Sequence, residues 1–355
     1  MQKIFRFFAF AILFAANPSL AGAQQPTTPP TPKEQPSPLP QNPAAPAPPQ
    51  DQQQLPTIRV TTGLVRLIAT VMDKRHNFIT DLEQSDFKIS EDGVPQDIRI
   101  FSRETNLPLR IGLLLDTSNS IRPRLGFEQD AAIDFLSSVI RHNKDMAFLM
   151  TFDNEPEIIQ DFTGDVSLLA SAIRRQRAGG GTALNDAIYR AAEKIANPPL
   201  PPGPDQEVRR VLVVISDGDD NLSDHALSEA IEAAIRAEAS IYTISTNTDW
   251  MSISGDTPHK FHIVGGDKVL QDFADQSGGR AFFPYKVDDL AQSFVDIGME
   301  LRSQYFIAYA PTDPLSNGKY RKIDVQTDRK QLIVRTRRGY FATAPPSAPP
   351  PKKPS

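Results

Sequence analysis

The spacing of apolar residues changes twice along this chain. Residues 57–60, 64–72, 87–89 and 98–101 are short runs rich in β-branched and aromatic side chains, with Glu91-Asp92-Gly93 as a turn between the last two. Four such runs with little helical periodicity predict a small sandwich, or part of one. From about residue 107 to 303 the pattern alternates. Strands are expected at 111–115, 146–152, 209–215, 240–245 and 281–283. Helices are expected at 127–140, where Ala131, Phe135, Leu136 and Val139 share a face, and at 166–174, 183–195, 226–238, 269–276 and 290–303. Ser223 or Asp224 reads as the cap of the fourth helix, and the prolines of 198–204 stop the third. Residues 155–159 follow the second strand so closely that they can only be its antiparallel neighbour, at the sheet edge.

Repeated strand–helix alternation predicts an α/β domain with a doubly wound, mostly parallel sheet and right-handed crossovers. After residue 304 the pattern returns to β, with runs at 305–309, 320–325 and 332–336 around Ser316-Asn317-Gly318, and Gly339-Tyr340-Phe341 at the close. No helices cover these strands. They are expected to pack with residues 57–104, so that a smaller all-β module is built from both flanks of the central domain.

The chain ends differ from the rest. Residues 1–23 combine Lys3 and Arg6, an apolar core from Phe7 to Ala16 and Ala21-Gly22-Ala23, the layout of a secretory signal peptide. The apolar run is short for a membrane span. From 24 to 56 the chain carries 12 prolines in 33 residues, a composition for an extended linker reaching roughly 100 Å at about 3.1 Å per residue. Residues 344–355 are again proline-rich and read as a disordered tail. The formal net charge is -5, and loss of the signal would make it more negative, which argues against nucleic acid as a partner. With no cysteine, disulfides, zinc–cysteine sites, thiol catalysis and a lipid anchor on cysteine are excluded. Export without cysteine points to a bacterial envelope: periplasm, cell surface or exterior.

Two of the apolar strands end in carboxylates. Leu113-Leu114-Leu115 runs into Asp116-Thr117-Ser118-Asn119-Ser120, and Val211 to Ile215 runs into Ser216-Asp217-Gly218. Continuous apolar runs suit strands buried on both faces, whose carboxyl ends are where open α/β sheets place ligands. Between them, Gly179-Gly180-Gly181-Thr182 carries a hydroxyl on a loop able to approach an ion closely. Asp116, Ser118, Ser120, Thr182 and Asp217 offer only oxygen, the donor that hard cations such as Mg²⁺, Mn²⁺ or Ca²⁺ take.

The set D-x-S-x-S, G-G-T, S-D-G resembles the metal-ion-dependent adhesion site of von Willebrand factor type A domains. The resemblance implies a Rossmann-like domain in which the serines and the threonine touch the metal while the aspartates act largely through water. It also implies a mechanism: a cation held mainly by neutral hydroxyls takes a carboxylate, Asp or Glu, from a partner protein as a final ligand. Val71-Met72-Asp73-Lys74, Asp86-Phe87 and Glu91 to Gln96 are in turn similar to the leader module of a bacterial group of type A domain proteins.

Enzyme chemistry finds less support. Ser118 stands where a phosphoryl hydrolase would place a second carboxylate, the triple glycine lacks a phosphate-binding lysine, and no G-x-S-x-G turn is present. The expected function is therefore a metal-dependent binding module, not an enzyme, without membrane insertion once the signal is removed. The alternatives are a metal-assisted hydrolase and a scaffold with a structural cation. Asp219 and Asp220 read as loop and capping residues. His259 and His262 have a helical metal spacing in a segment that does not read as helix, and Trp250 is expected on a loop after a strand end.

Overall fold

The computed structural model describes residues 63–103, 107–201, 207–247, 265–284, 287–313 and 316–342. The signal, the proline-rich linker and the tail lie outside the described residues, as do Trp250, His259, His262 and the run at 57–60.

A β segment comes first: β1 (Val65–Met72), β2 (Phe87–Glu91), β3 (Val94–Gln96) and β4 (Ile98–Ser102). The α/β part follows with β5 (Leu109–Asp116), α1 (Leu125–Val139), β6 (Met146–Phe152), β7 (Pro156–Thr163), α2 (Val166–Arg174), α3 (Leu184–Ala196), β8 (Arg209–Ser216), α4 (Leu227–Arg236), β9 (Ala239–Ser245), α5 (Gly265–Ser277), β10 (Ala281–Phe282) and α6 (Val287–Glu300). The chain then returns to strands: β11 (Gln304–Tyr309), β12 (Tyr320–Thr327), β13 (Ile333–Arg335) and β14 (Gly339–Phe341).

The central sheet has the order β10-β9-β8-β5-β6-β7 and is parallel except for β7, which lies antiparallel to β6 at the edge. It is doubly wound, mostly parallel and covered by helices. Alternation along β5 explains its unbroken apolar run. Ile111, Leu113 and Leu115 pack into a core with residues of α1, α2 and α6, and Leu114 faces the opposite core with residues of α3, α4 and α5. Both faces are dry, so a polar residue on either would lose its water without recompense. Gly112 is the exception in size, since a Cβ there would stand 2.5 Å from the Phe148 ring and 2.7 Å from a Leu212 methyl.

The remaining strands form two four-stranded antiparallel sheets, β13-β1-β11-β4 and β14-β12-β2-β3. Their shared core holds Leu67, Val71, Phe87, Tyr305, Ile307 and Val325, so strands from both ends of the described chain bury one another. Ser316-Asn317-Gly318 closes no hairpin, because β11 and β12 lie in different sheets. Asp92 and Gly93 both take positive φ, 48° and 82°, as a two-residue turn between β2 and β3 requires. The neighbouring Glu91 is buried, paired with Arg321 at 2.8 Å and accepting the Tyr309 hydroxyl at 2.7 Å. That acidic turn is ordinary hairpin chemistry plus one internal ion pair.

The α/β part and the β strands are joined through a buried carboxylate. Glu300, the last residue of α6, accepts Thr70 Oγ1 from β1 at 3.1 Å and the Tyr242 hydroxyl from β9 at 3.0 Å on one oxygen, and Arg335 from β13 at 3.1 Å on the other. Gln304 donates to both Thr70 Oγ1 and the Tyr242 oxygen. Burial holds the Tyr242 hydroxyl protonated, well above its ordinary range, which suits it to donate. No helix among the described residues is long and apolar enough to cross a membrane.

Removing one partner of a buried ion pair costs more than the pair contributes, because the other charge is stranded. Glu300→Ala is therefore expected to lower stability by about 3–5 kcal/mol in urea unfolding. A loss no larger than that of a surface substitution would show that the junction does not depend on this carboxylate.

Candidate metal centre

Asp116, Ser118, Ser120 and Asp217 lie at or just beyond the carboxyl ends of β5 and β8, and Thr182, just before α3, is tied to the loop after β8. Asp116 terminates β5 and is buried. One of its oxygens accepts the Ser118 backbone N–H at 2.8 Å and the other accepts the Ser216 hydroxyl, from the end of β8, at 2.7 Å. This clamp turns the chain so that Ser118 Oγ and Ser120 Oγ lie 2.9 Å apart. Ser118 is buried and Ser120 exposed, so the hydroxyl pair spans the boundary between interior and solvent.

The glycine loop is fastened to this turn by its backbone. Gly179 N–H donates to Thr117 O at 2.7 Å and Asn119 N–H to Gly180 O at 3.2 Å, while Asn154, beyond β6, accepts the Gly181 N–H at 2.8 Å. Gly180 is in the left-handed region at φ 78°, where glycine carries no penalty. Thr182 follows, buried, just before α3. Its N–H donates to Asn221 Oδ1 at 3.0 Å, and its carbonyl accepts the N–H groups of Asn221 and Leu222.

The loop after β8 thus holds Thr182 in place, and it also caps α3 from outside. Asp220 Oδ2 accepts the Asn185 N–H at 2.7 Å and Ser223 Oγ accepts the Asp186 N–H at 3.0 Å, satisfying two N–H groups that a helix start leaves open. The expectation that Ser223 or Asp224 caps α4 is corrected here. Ala226 occupies that position, with the Glu229 carboxylate accepting its N–H at 2.8 Å. The hydroxyl of Ser223 is committed to α3 instead. Asp219 stays on the surface.

Asp217 is also buried, one residue past β8. Asn247 donates to its carbonyl at 2.6 Å, and its side chain accepts the Asp219 N–H at 3.1 Å. Behind it two backbones cross closely: a Cβ on Gly218 would stand 2.2 Å from Gly266 O, and one on Gly266 would stand 2.2 Å from Asp217 O. The start of α5 therefore presses directly on the Asp217 turn. No motif in the sequence pointed to Gly266.

Electrostatics links these groups. Burial pushes the Asp116 carboxyl up to about 6 against the pull of its hydrogen bonds, with the Asp217 charge adding to the rise. A third carboxylate, which sequence reading missed, lies within their field. Burial pushes Glu128 in the first turn of α1 up to about 8; Arg124 opposes the shift, and the charges of Asp116 and Asp217 add to it. Glu128 interrupts the buried stripe of Leu125, Ala132, Phe135, Leu136 and Val139, and that interruption was a signal available in the sequence. No three Asp, Glu or His side chains among the described residues lie close enough to clasp one ion by themselves. Any cation here would depend on the hydroxyls.

Residues 111–219 match the model of the von Willebrand factor type A domain, and all five residues fall within that stretch. No curated protein matches the chain. Among solved structures, the chain is similar to a von Willebrand factor type A protein from Catenulispora acidiphila, 12% identical over 77% of this chain and 71% of that one, TM-score 0.44. It is similar to an aerotolerance-related membrane protein from Bacteroides fragilis, 19% identical over 54% of this chain and 98% of that one, TM-score 0.42. A third likeness is to proximal thread matrix protein 1 from the mussel byssus with its MIDAS motif occupied by zinc, 15% identical over 58% of this chain and 48% of that one, TM-score 0.43.

The raised Asp116 value fixes the sign of a pH effect. Between 3.8, the ordinary value, and about 6 the folded state holds a proton that the unfolded chain has released, so this group lowers stability as pH rises through that window. Asp116→Asn removes the term. In chelator-containing buffer, its urea midpoint relative to wild type is expected to be higher at pH 7.5 than at pH 4. An offset that does not change with pH would contradict the assignment.

Proposed function

We propose that this chain binds a divalent cation, Mg²⁺ or a similar hard ion, through Ser118, Ser120 and Thr182 directly and through Asp116 and Asp217 by way of water. We further propose that the bound ion recruits an acidic side chain of a partner protein. The supporting observation is the hydroxyl pair. Two neighbouring oxygens of an octahedral site with 2.0–2.1 Å metal–oxygen distances stand about 2.9 Å apart, and Ser118 Oγ and Ser120 Oγ are separated by 2.9 Å. The donor chemistry agrees, being all oxygen.

The mechanism is electrostatic. Hydroxyl ligands carry no charge, so an ion held by them keeps most of its field and favours an anionic oxygen at an open position. Ser120 and Gly180 are exposed at the rim, which gives such a visitor a way in. The buried side chains of Asp116 and Asp217 sit on the protein side. This is a binding role and not a catalytic one. The charged start, apolar run and small-residue end of residues 1–23 support export, and the proline-rich stretch after them a spacer between the envelope and the folded part.

The test is a calorimetric Mg²⁺ and Mn²⁺ titration of the Asp116→Ala, Ser118→Ala double variant. The heat of binding is expected to vanish while the far-ultraviolet circular dichroism stays unchanged. An unaltered titration removes the site. Capture of envelope proteins should likewise depend on metal, being lost with EDTA and with Thr182→Ala. Unfolding by EDTA alone would make the ion a structural one.

A further inference from the structure

We propose that Glu128 is a sixth member of the cation site, accepting a hydrogen bond from water on the ion and supplying negative charge that the hydroxyl ligands lack. This rests on the reading that Asp116, Ser118, Ser120, Thr182 and Asp217 hold a divalent cation.

Three observations lead to it. The Glu128 side chain is 1% exposed, and neither of its oxygens has a hydrogen-bond partner. A buried carboxylate without partners is among the more costly things a fold can hold, and most buried polar groups are satisfied. Its place in the stripe of α1 is flanked by Leu125 and Ala132, so an apolar residue there would serve packing better.

The second observation is location. The turn of residues 119–121 leads almost directly into α1, and Leu125 in the first turn of that helix shares a core with Leu115 at the end of β5. Glu128 lies near enough to Asp116 and Asp217 to interact with the charge of each. Arg124, the cation within its field, spends a guanidinium N–H on Ser120 O at 3.4 Å and makes no bond to Glu128.

The third observation is the donor set. No three Asp, Glu or His side chains among the described residues could hold an ion by themselves, so the hydroxyls take the inner positions and Glu128 is assigned the place of an outer ligand acting through water. It is a positioning residue: without an ion burial keeps its carboxyl protonated up to about pH 8, and the charge of the ion is what ionises it, so that it orients that water and adds charge behind the ion.

The experiment compares Mg²⁺ titrations of the full chain with those of Glu128→Gln and Glu128→Leu, alongside urea unfolding of each in EDTA. Both variants are expected to bind Mg²⁺ about 10–100-fold more weakly. Glu128→Leu is also expected to be at least as stable as wild type without metal, so Mg²⁺ raises its melting temperature less. Mg²⁺ affinity unchanged in both variants overturns the role of Glu128 and leaves the five-residue site standing. A wild type that takes up neither Mg²⁺ nor Mn²⁺ overturns both. Two variants guard against one failing to fold.

Discussion

A parallel sheet covered by helices on both faces leaves polar side chains nowhere to go except the strand ends. That constraint governs the α/β part of this protein. β5 is buried along its whole length, and between Arg110 near its start and Asp116 at its close it carries no polar side chain. β8 likewise has Arg209 and Arg210 at its amino end and delivers Ser216 and Asp217 at the other, beside Asp116. The neighbouring strand β6 lies on the other side of β5, so the order of connection reverses here, the place at which open α/β sheets bind ligands. Packing thus selects the site's location before any ligand is considered.

What ties the loops at this end of the sheet together is a set of hydrogen bonds between segments distant in sequence. The Asp116 turn is tied to the glycine loop through Thr117 and Asn119. The glycine loop is tied to the β8 loop through Thr182 and Asn221. The β8 loop is pressed by the start of α5 at Gly266. Each loop lends its polar atoms to the next, and α3 receives its cap from residues 220 and 223 because its own preceding residues are occupied in the loop.

The sequence made legible whatever depends on local periodicity. β6 and α2 appear at the residues that the hydrophobic pattern predicts, and the antiparallel edge strand follows from the shortness of its connection. The central motif stood out because its oxygen-bearing residues break long apolar runs. Legibility failed where the determining partner is far along the chain. The cap of α4 was misread because Ser223 has two helices within reach and serves the earlier one. β3 has only three residues, two of them exposed, and shows no apolar alternation. Glu300 falls inside an expected helix with nothing local to single it out, and its partners come from β1, β9 and β13, up to 230 positions away. Glu128 was passed over because apolar spacing was read from the residues around it.

Burial sorts the proposed ligands. Asp116, Asp217 and Glu128 are all buried, as are Ser118 and Thr182, and Ser120 is the exposed one. If the carboxylates instead lined the opening, an incoming acidic group would meet like charge before it met the ion, and their charge would offset the ion's outward field. Buried carboxylates with an exposed hydroxyl at the surface would reverse this: they would attract a bound cation from within while its outward side stayed uncompensated. Asp219 is exposed in the loop after β8, where solvent screening reduces its effect on an incoming acidic group. A fold that had only to hold a cation would gain from charged ligands in direct contact; neutral ones at the front suit a site meant to pass the ion's charge to another molecule.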